Sequence, residues 1–122
     1  IDHAVLSDGC IINRAQISHS IIGVRSIVGN GTMLQRVVMM GADYYESEHS
    51  IHEKQTSEIP PIGVGSSTRI ENAILDKNTR IGDNCIISPD GKSDNEDGDG
   101  FYIRDGIVII PKNAVVPHNT VI

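Results

Sequence analysis

A six-residue period of aliphatic residues runs through most of this sequence. One run is Leu75, Ile81 and Ile87, and the residue four places after each aliphatic residue is nearly always small or β-branched. Three such hexads form a coil of about 18 residues whose inward side chains pack against those of the neighbouring coils. The period predicts an all-β chain folded as a parallel β-helix of hexapeptide repeats. The inward aliphatic set is Leu6, Ile12, Ile22, Val28, Leu34, Met40, Val64, Ile70, Leu75, Ile81, Ile87, Ile110, Val116 and Ile122.

Glycine and small residues occupy fixed places in the hexad. Glycine often follows the aliphatic residue, as in Gly29, Gly65 and Gly82, where we expect the coil to turn a corner through positive φ angles. Cys10 and Cys85 fall on the small inward position. Their spacing matches no metal or redox motif, so we expect buried thiols without a disulfide.

Two stretches break the period. Residues 43–61 are polar and residues 88–100 are acidic and rich in glycine. We interpret both as loops inserted at coil corners, which leaves enough repeat for about five coils. A small β-sandwich is the alternative all-β fold, but it requires strands that alternate with a period of two, and the sequence has no such alternation.

Charge and composition exclude several functions. The formal net charge is −6, and no basic cluster suited to nucleic acid is present. No apolar run reaches the length of a membrane span, so we expect neither nucleic acid nor a membrane as a partner. The chain opens within the repeat at Ile1, and we therefore expect a further segment upstream of it.

Two acidic or histidine-containing stretches superficially resemble metal sites. His49 and His52 lie among glutamates in the first predicted loop, without a further array of ligands. Residues 90–99 are acidic but lack the ligand order and the flanking helices of a calcium loop. We predict a surface loop and a linker, and no metal site.

Five segments, in the same order along the chain, resemble the C-terminal domain of the ADP-glucose pyrophosphorylases (glucose-1-phosphate adenylyltransferases). They are HSIIGVRS at residues 19–26, MMGADYYE at 39–46, PIGVG at 61–65, ILDKNTRIG at 74–82 and GFYIRDGIV at 100–108. The resemblance implies that the β-helix is left-handed. It also implies that residues 1–122 form a C-terminal domain without the N-terminal catalytic nucleotidyltransferase domain.

The resemblance further implies a function. Enzymes of this family make ADP-glucose and pyrophosphate from ATP and glucose-1-phosphate for starch or glycogen synthesis. Their nucleotide loop and the aspartate that binds Mg²⁺ lie in the catalytic domain, so we expect no cofactor and no catalysis in this chain alone. The expected partners are that catalytic domain, sister subunits of a heterotetramer and small anionic effectors. The plant-like segments favour the plastid stroma over the cytoplasm.

In this family, two lysines of the C-terminal domain bind the activator 3-phosphoglycerate or the inhibitor phosphate. The matching motifs place them at Lys77 and Lys112, and Pro111 departs slightly from the second motif. We expect Asp76 to orient the Lys77 ammonium, and Arg80 and Arg25 to add positive charge. Arginines of the catalytic domain complete the site in the family, so this chain alone should bind anions weakly.

Hexapeptide-repeat acyltransferases are an alternative class of function, with a histidine acting as general base near a subunit seam. A β-helix that binds zinc through three histidines is another. His3, His19 and His118 are the candidate residues. Neither alternative accounts for the segments at residues 39–46 and 74–82.

Overall fold

The computed structural model describes residues 1–46 and 59–122, and in these ranges the chain consists of strands and turns without a helix. Within the same ranges, no helix is long and apolar enough to cross a membrane. The strands are β1 (Asp2–Leu6), β2 (Ile11–Ile12), β3 (Gln16–Ile22), β4 (Ile27–Val28), β5 (Met33–Met39), β6 (Gly63–Val64), β7 (Arg69–Leu75), β8 (Arg80–Ile81), β9 (Ile86–Ile87), β10 (Glu96–Asp97), β11 (Tyr102–Arg104), β12 (Ile107–Ile110) and β13 (Val115–Val116).

Two stacks of parallel strands form the walls of the molecule. One stack has the order β2-β4-β6-β8-β13, and the other runs β1-β3-β5-β7-β12. The chain alternates between the stacks and adds one rung to each stack per coil. This topology confirms the predicted parallel β-helix.

The coils are shorter than the hexad period predicts. Leu6 pairs with Ile22, and Ile22 pairs with Met39, so one coil takes 16 or 17 residues. The reason lies inside the long strands. His19, with a φ of 50°, turns a corner within β3, and this corner takes up only one residue of the chain. The prediction that Met40 points inward was wrong for the same reason, because the shortened face moves Met39 into the core and leaves Met40 46% exposed.

Three columns of residues with positive φ mark the corners of the triangular section. Asparagine adopts this conformation at low cost, whereas arginine does so less readily. The first corner column is His3, His19, Arg36 and Asn72; the second is Arg14, Gly31, Ser67, Asn84 and Asn119; the third is Gly9, Arg25, Asn78 and Asn113.

The glycines of the hexads have a different role from the one predicted. Gly29, Gly65 and Gly82 lie outside the positive-φ columns. A Cβ at Gly29 would lie 2.6 Å from the carbonyl carbon of Gly65, and a Cβ at Gly65 would lie 2.7 Å from that of Gly82. These residues are glycines because the backbones of adjacent coils meet there.

Small polar side chains bond one coil to the next inside the prism. Thr32 donates to the carbonyl of Gly65 at 2.6 Å, and Thr68 donates to that of Gly82 at 2.7 Å. The Cys85 thiol is fully buried and donates to the carbonyl of Pro117. The inward position is therefore small because it must also satisfy a buried backbone carbonyl. Both cysteines are free, and Cys10 in the first coil is half-buried.

The second insertion is more ordered than a loop. Its end forms β10, which pairs antiparallel with β11, and β11 pairs antiparallel with β12. Ile103 of β11 is fully buried against the core. The prediction of a loop over residues 88–100 was therefore wrong toward its C-terminal end, because a period of parallel rungs carries no signal for an antiparallel addition. The described parts of the first insertion, residues 43–46 and 59–61, contain no strand.

Candidate functional site

Lys77 and Lys112 lie at the third corner column, one coil apart. Each directly precedes an asparagine of that column, and the backbone N–H of Asn113 donates to the carbonyl of Lys77 at 3.0 Å. Adjacent rungs are about 4.8 Å apart, which brings the two lysine backbones within reach of one small ligand. The repeat thus places the two predicted lysines side by side. We call Lys77, Lys112 and their immediate surroundings the lysine corner.

An aspartate from the first insertion completes the lysine corner. Asp43 Oδ1 lies 3.2 Å from the Lys77 ammonium nitrogen. Its Oδ2 accepts a hydrogen bond from the Asn78 side-chain amide at 3.1 Å, while the Asp43 backbone N–H donates to Asn78 Oδ1 at 2.9 Å. Lys112 is exposed, and its ammonium makes no hydrogen bond or ion pair with the residues that the structure describes.

The charge of Asp43 depends on this environment. The hydrogen bond from Asn78 is the main reason that the pKa of the Asp43 carboxyl lies below its usual value of 3.8, and the Lys77 hydrogen bond and charge and the Lys112 charge act in the same direction. A lowered pKa means that the folded state favours the ionised form. This contribution to stability is complete above pH 3.8 and is lost as the pH falls through the pKa of the folded state.

We expect Lys77→Met to raise the pKa of the Asp43 carboxyl toward 3.8, because the substitution removes a hydrogen bond and a charge but leaves Asn78 in place. Carboxyl carbon NMR shifts followed from pH 6 to pH 2 measure this pKa directly. Lys92→Met, in the second insertion, removes an equal charge elsewhere and should leave the Asp43 titration unchanged. An Asp43 curve that is the same in the wild type and in Lys77→Met would contradict the contact.

Asp76 contacts the lysine corner through the backbone. Its Oδ1 accepts a hydrogen bond from the backbone N–H of Lys77 at 2.7 Å. The ammonium is oriented by Asp43 instead, from a part of the chain that the periodicity does not cover. The sequence signal was present in the segment at residues 39–46, but nothing in it indicated which corner Asp43 would reach.

We call residues 42–46 and 59–62, where the chain enters and leaves the first insertion, its stem. The two predicted arginines fasten this stem to the β-helix. Arg80 Nη1 lies 2.8 Å from Glu46 Oε1 and donates to the carbonyl of Pro60 at 3.1 Å. The Arg80 and Glu46 side chains are only 14% and 4% exposed. Arg25 Nε donates to the carbonyl of Ala42 at 2.8 Å.

A small cavity lies beside these contacts. Arg25 and Asp76 both line it, and its volume of about 10 Å³ admits at most one water molecule. One guanidinium nitrogen of each arginine, Arg25 Nε and Arg80 Nη1, thus donates to the stem. Of the five predicted residues, the structure brings Lys77, Lys112 and Asp76 together at the surface and gives Arg80 and Arg25 partners within the fold.

The residues considered for a metal or for acyl transfer are dispersed. His3 and His19 stack with ring centroids 5.1 Å apart in the first two coils. His118 follows β13 at the opposite end of its stack, where its Nδ1 accepts a hydrogen bond from the Asp83 backbone at 2.7 Å. Three or more metal-ligating side chains do not gather anywhere in residues 1–46 and 59–122. His49 and His52 lie outside these described ranges.

Comparison with known proteins adds two findings. The family model described as the GLGC left-handed parallel beta-helix domain matches residues 1–121, which confirms the predicted hand. A relative from Triticum aestivum, the small subunit of a chloroplastic/amyloplastic glucose-1-phosphate adenylyltransferase, is 40% identical over 124 residues. The alignment covers 100% of this chain and 26% of the relative, so the chain spans about a quarter of that protein's length.

Proposed function

Because the chain belongs to the GLGC left-handed parallel β-helix domain family, we propose that it is the regulatory and assembly domain of a glucose-1-phosphate adenylyltransferase. The observation that carries the proposal is a match along nearly the entire chain both to the domain family and to a subunit of that enzyme. The complete enzyme makes ADP-glucose and pyrophosphate from ATP and glucose-1-phosphate. Catalysis and Mg²⁺ binding then belong to an N-terminal catalytic domain, and the β-helix itself is non-catalytic.

The proposed regulatory role rests on the lysine corner. A phosphate dianion requires several N–H donors and positive charge, and a lysine supplies both as a mobile point charge. Lys77 and Lys112 offer two ammonium groups one coil apart at an exposed corner. We assign them the binding of 3-phosphoglycerate and phosphate, with Asp76 holding the Lys77 backbone in position.

The proposed assembly role fits the outer surface of the β-helix. Val5 and Ile21 are 61% and 51% exposed on adjacent rungs, and the register continues this outward column through Val38, Ile74 and Ile109, which are partly exposed. An outward apolar column that is exposed at one end and partly exposed along its length is typical of a surface that another domain or subunit covers. We propose the catalytic domain and sister subunits as its partners, within a heterotetramer in the plastid stroma.

Titration with 3-phosphoglycerate tests the regulatory role. We expect backbone amide shifts that cluster at residues 74–80 and 108–114, and Lys77→Ala or Lys112→Ala should weaken binding about tenfold because each removes a charge-assisted hydrogen bond. Phosphate should produce shifts in the same two segments and compete with 3-phosphoglycerate.

Lys92→Ala provides the control, because it removes one positive charge from the second insertion. This variant should bind with wild-type affinity. Shifts that are absent, or that persist unchanged in both corner variants, would contradict the proposed site.

A further inference from the structure

We propose that the Asp43 carboxylate competes with anionic effectors for the lysine corner. It pairs with Lys77 when no effector is bound, and an arriving oxyanion displaces it. The inference rests on the proposed function, since it requires that Lys77 and Lys112 bind anions. It adds a regulatory element that belongs to the first insertion and not to the β-helix.

The first argument is chemical equivalence. Asp43 presents two anionic oxygens to the corner, one to the Lys77 ammonium at 3.2 Å and one to the Asn78 amide at 3.1 Å. A phosphate or carboxylate ligand would use the same donors. Ligand and Asp43 therefore compete for the same N–H groups.

The second argument is that the contact is easily exchanged. The Lys77 and Asp43 side chains are each 46% exposed, and an ion pair as exposed as this one is weak. Water and a soluble anion can reach both partners. A dianion brought between Lys77 and Lys112 gains a second ammonium that Asp43 does not contact directly, so the exchange favours the dianion.

The third argument concerns the backbone, which need not move. The Asp43 N–H donates to Asn78 Oδ1, the Ala42 N–H donates to the carbonyl of Val24 at 2.9 Å, and Arg25 holds the carbonyl of Ala42. These bonds fix the backbone on the N-terminal side of the Asp43 Cα, and the ion pair between Glu46 and Arg80 holds it three residues further along the chain. Displacement then requires only rotation of the Asp43 side chain, and the lowered pKa of the carboxyl should rise as Lys77 leaves it and a dianion approaches.

Asp43→Asn tests the competition. The substitution keeps the size of the side chain and removes its charge, so we expect sulfate to bind about fivefold more tightly at low ionic strength. Asp99→Asn removes an equal charge from the exposed second insertion and should change sulfate affinity less than twofold, the small effect of a screened distant charge. Circular dichroism and thermal unfolding verify that each variant is folded.

A second measurement follows Asp43 in the wild-type protein. Saturating sulfate, which is largely a dianion except at the acid end of the titration, should raise the pKa of the Asp43 carboxyl and shift its carboxyl carbon resonance. Equal or weaker sulfate binding by Asp43→Asn, with binding still lost in Lys77→Ala, would overturn the competition and leave the anion site standing. An absence of sulfate binding in every variant would overturn the site and the competition together.

Discussion

The Gly29→Ala substitution is expected to lower the free energy of unfolding by about 3 kcal/mol, at the upper end of the range for overpacked positions. A Cβ at this position would lie 2.6 Å from the carbonyl carbon and oxygen of Gly65 and 2.7 Å from the backbone nitrogen of Ser66. All three atoms belong to the backbone of the next coil, so no change of rotamer relieves the contact. The two coils must separate, which also weakens the hydrogen bond from the Gly29 N–H to the carbonyl of Val64.

Urea unfolding followed by circular dichroism measures this loss, and Gly91→Ala provides the matched control. Gly91 has a φ of +76°, and a Cβ there would meet nothing within 4 Å. That substitution should cost only the penalty of a left-handed conformation, about 1 kcal/mol. If Gly29→Ala were as stable as Gly91→Ala, the close approach of the coils would not be the reason for glycine at this position.

The stacked glycines Gly29, Gly65 and Gly82 show how far the sequence predicts the fold. The hexad period identified the stacked strands and most of the core, because most of the predicted inward aliphatic residues are buried against their equivalents in adjacent coils, although Leu6 in the first coil is 41% exposed. It misjudged the coil length and Met40, because a corner inside a strand, such as the one at His19, consumes one residue and shifts the frame. It also predicted a positive φ at Gly29, whereas glycine is required there because two backbones meet. The distance between stacked backbones cannot be read from the period of a sequence.

The lysine corner likewise has one part that the sequence could predict and one part that it could not. Lys77 and Lys112 occupy equivalent positions of two coils, so a repeat frame together with the family motifs could bring them together. Asp43 lies in an insertion, where periodicity says nothing about which residues approach the helix. The contacts of the two arginines could not be predicted for a related reason: Arg80 and Arg25 donate hydrogen bonds to the insertion stem, and only the folded stem reveals these partners.

Glu46→Ala is expected to destabilise the protein by about 3 kcal/mol, because removal of one partner leaves the buried Arg80 guanidinium without a counter-charge. Glu46 Oε1 also accepts a hydrogen bond from the Ile62 backbone at 2.5 Å. One carboxylate thus links residue 46 to residue 62 and to Arg80 of strand β8. Thermal and urea unfolding of Glu46→Ala measure the loss.

The surface pair of Arg69 and Glu71 is the matched control. Its charged atoms lie 3.0 Å apart, but the side chains are 58% and 20% exposed, so Glu71→Ala should cost less than about 1 kcal/mol. The double variant Glu46→Ala/Arg80→Ala should be less destabilised than the sum of the two single variants, because it leaves no unpaired charge. Equal losses in Glu46→Ala and Glu71→Ala would show that the buried pair does not hold the stem.

The same variant connects the stem to the lysine corner. Asp43 lies three residues before Glu46, and its reach to Lys77 depends on a stem that Glu46 helps to fix. Loosening the stem should therefore withdraw Asp43 from Lys77, return the pKa of its carboxyl toward 3.8 and increase the affinity of the corner for sulfate. If Glu46→Ala unfolds more easily but leaves the Asp43 titration unchanged, the Asn78 hydrogen bonds alone position Asp43. The ion pair between Arg80 and Glu46 would then stabilise the fold without contributing to the competition.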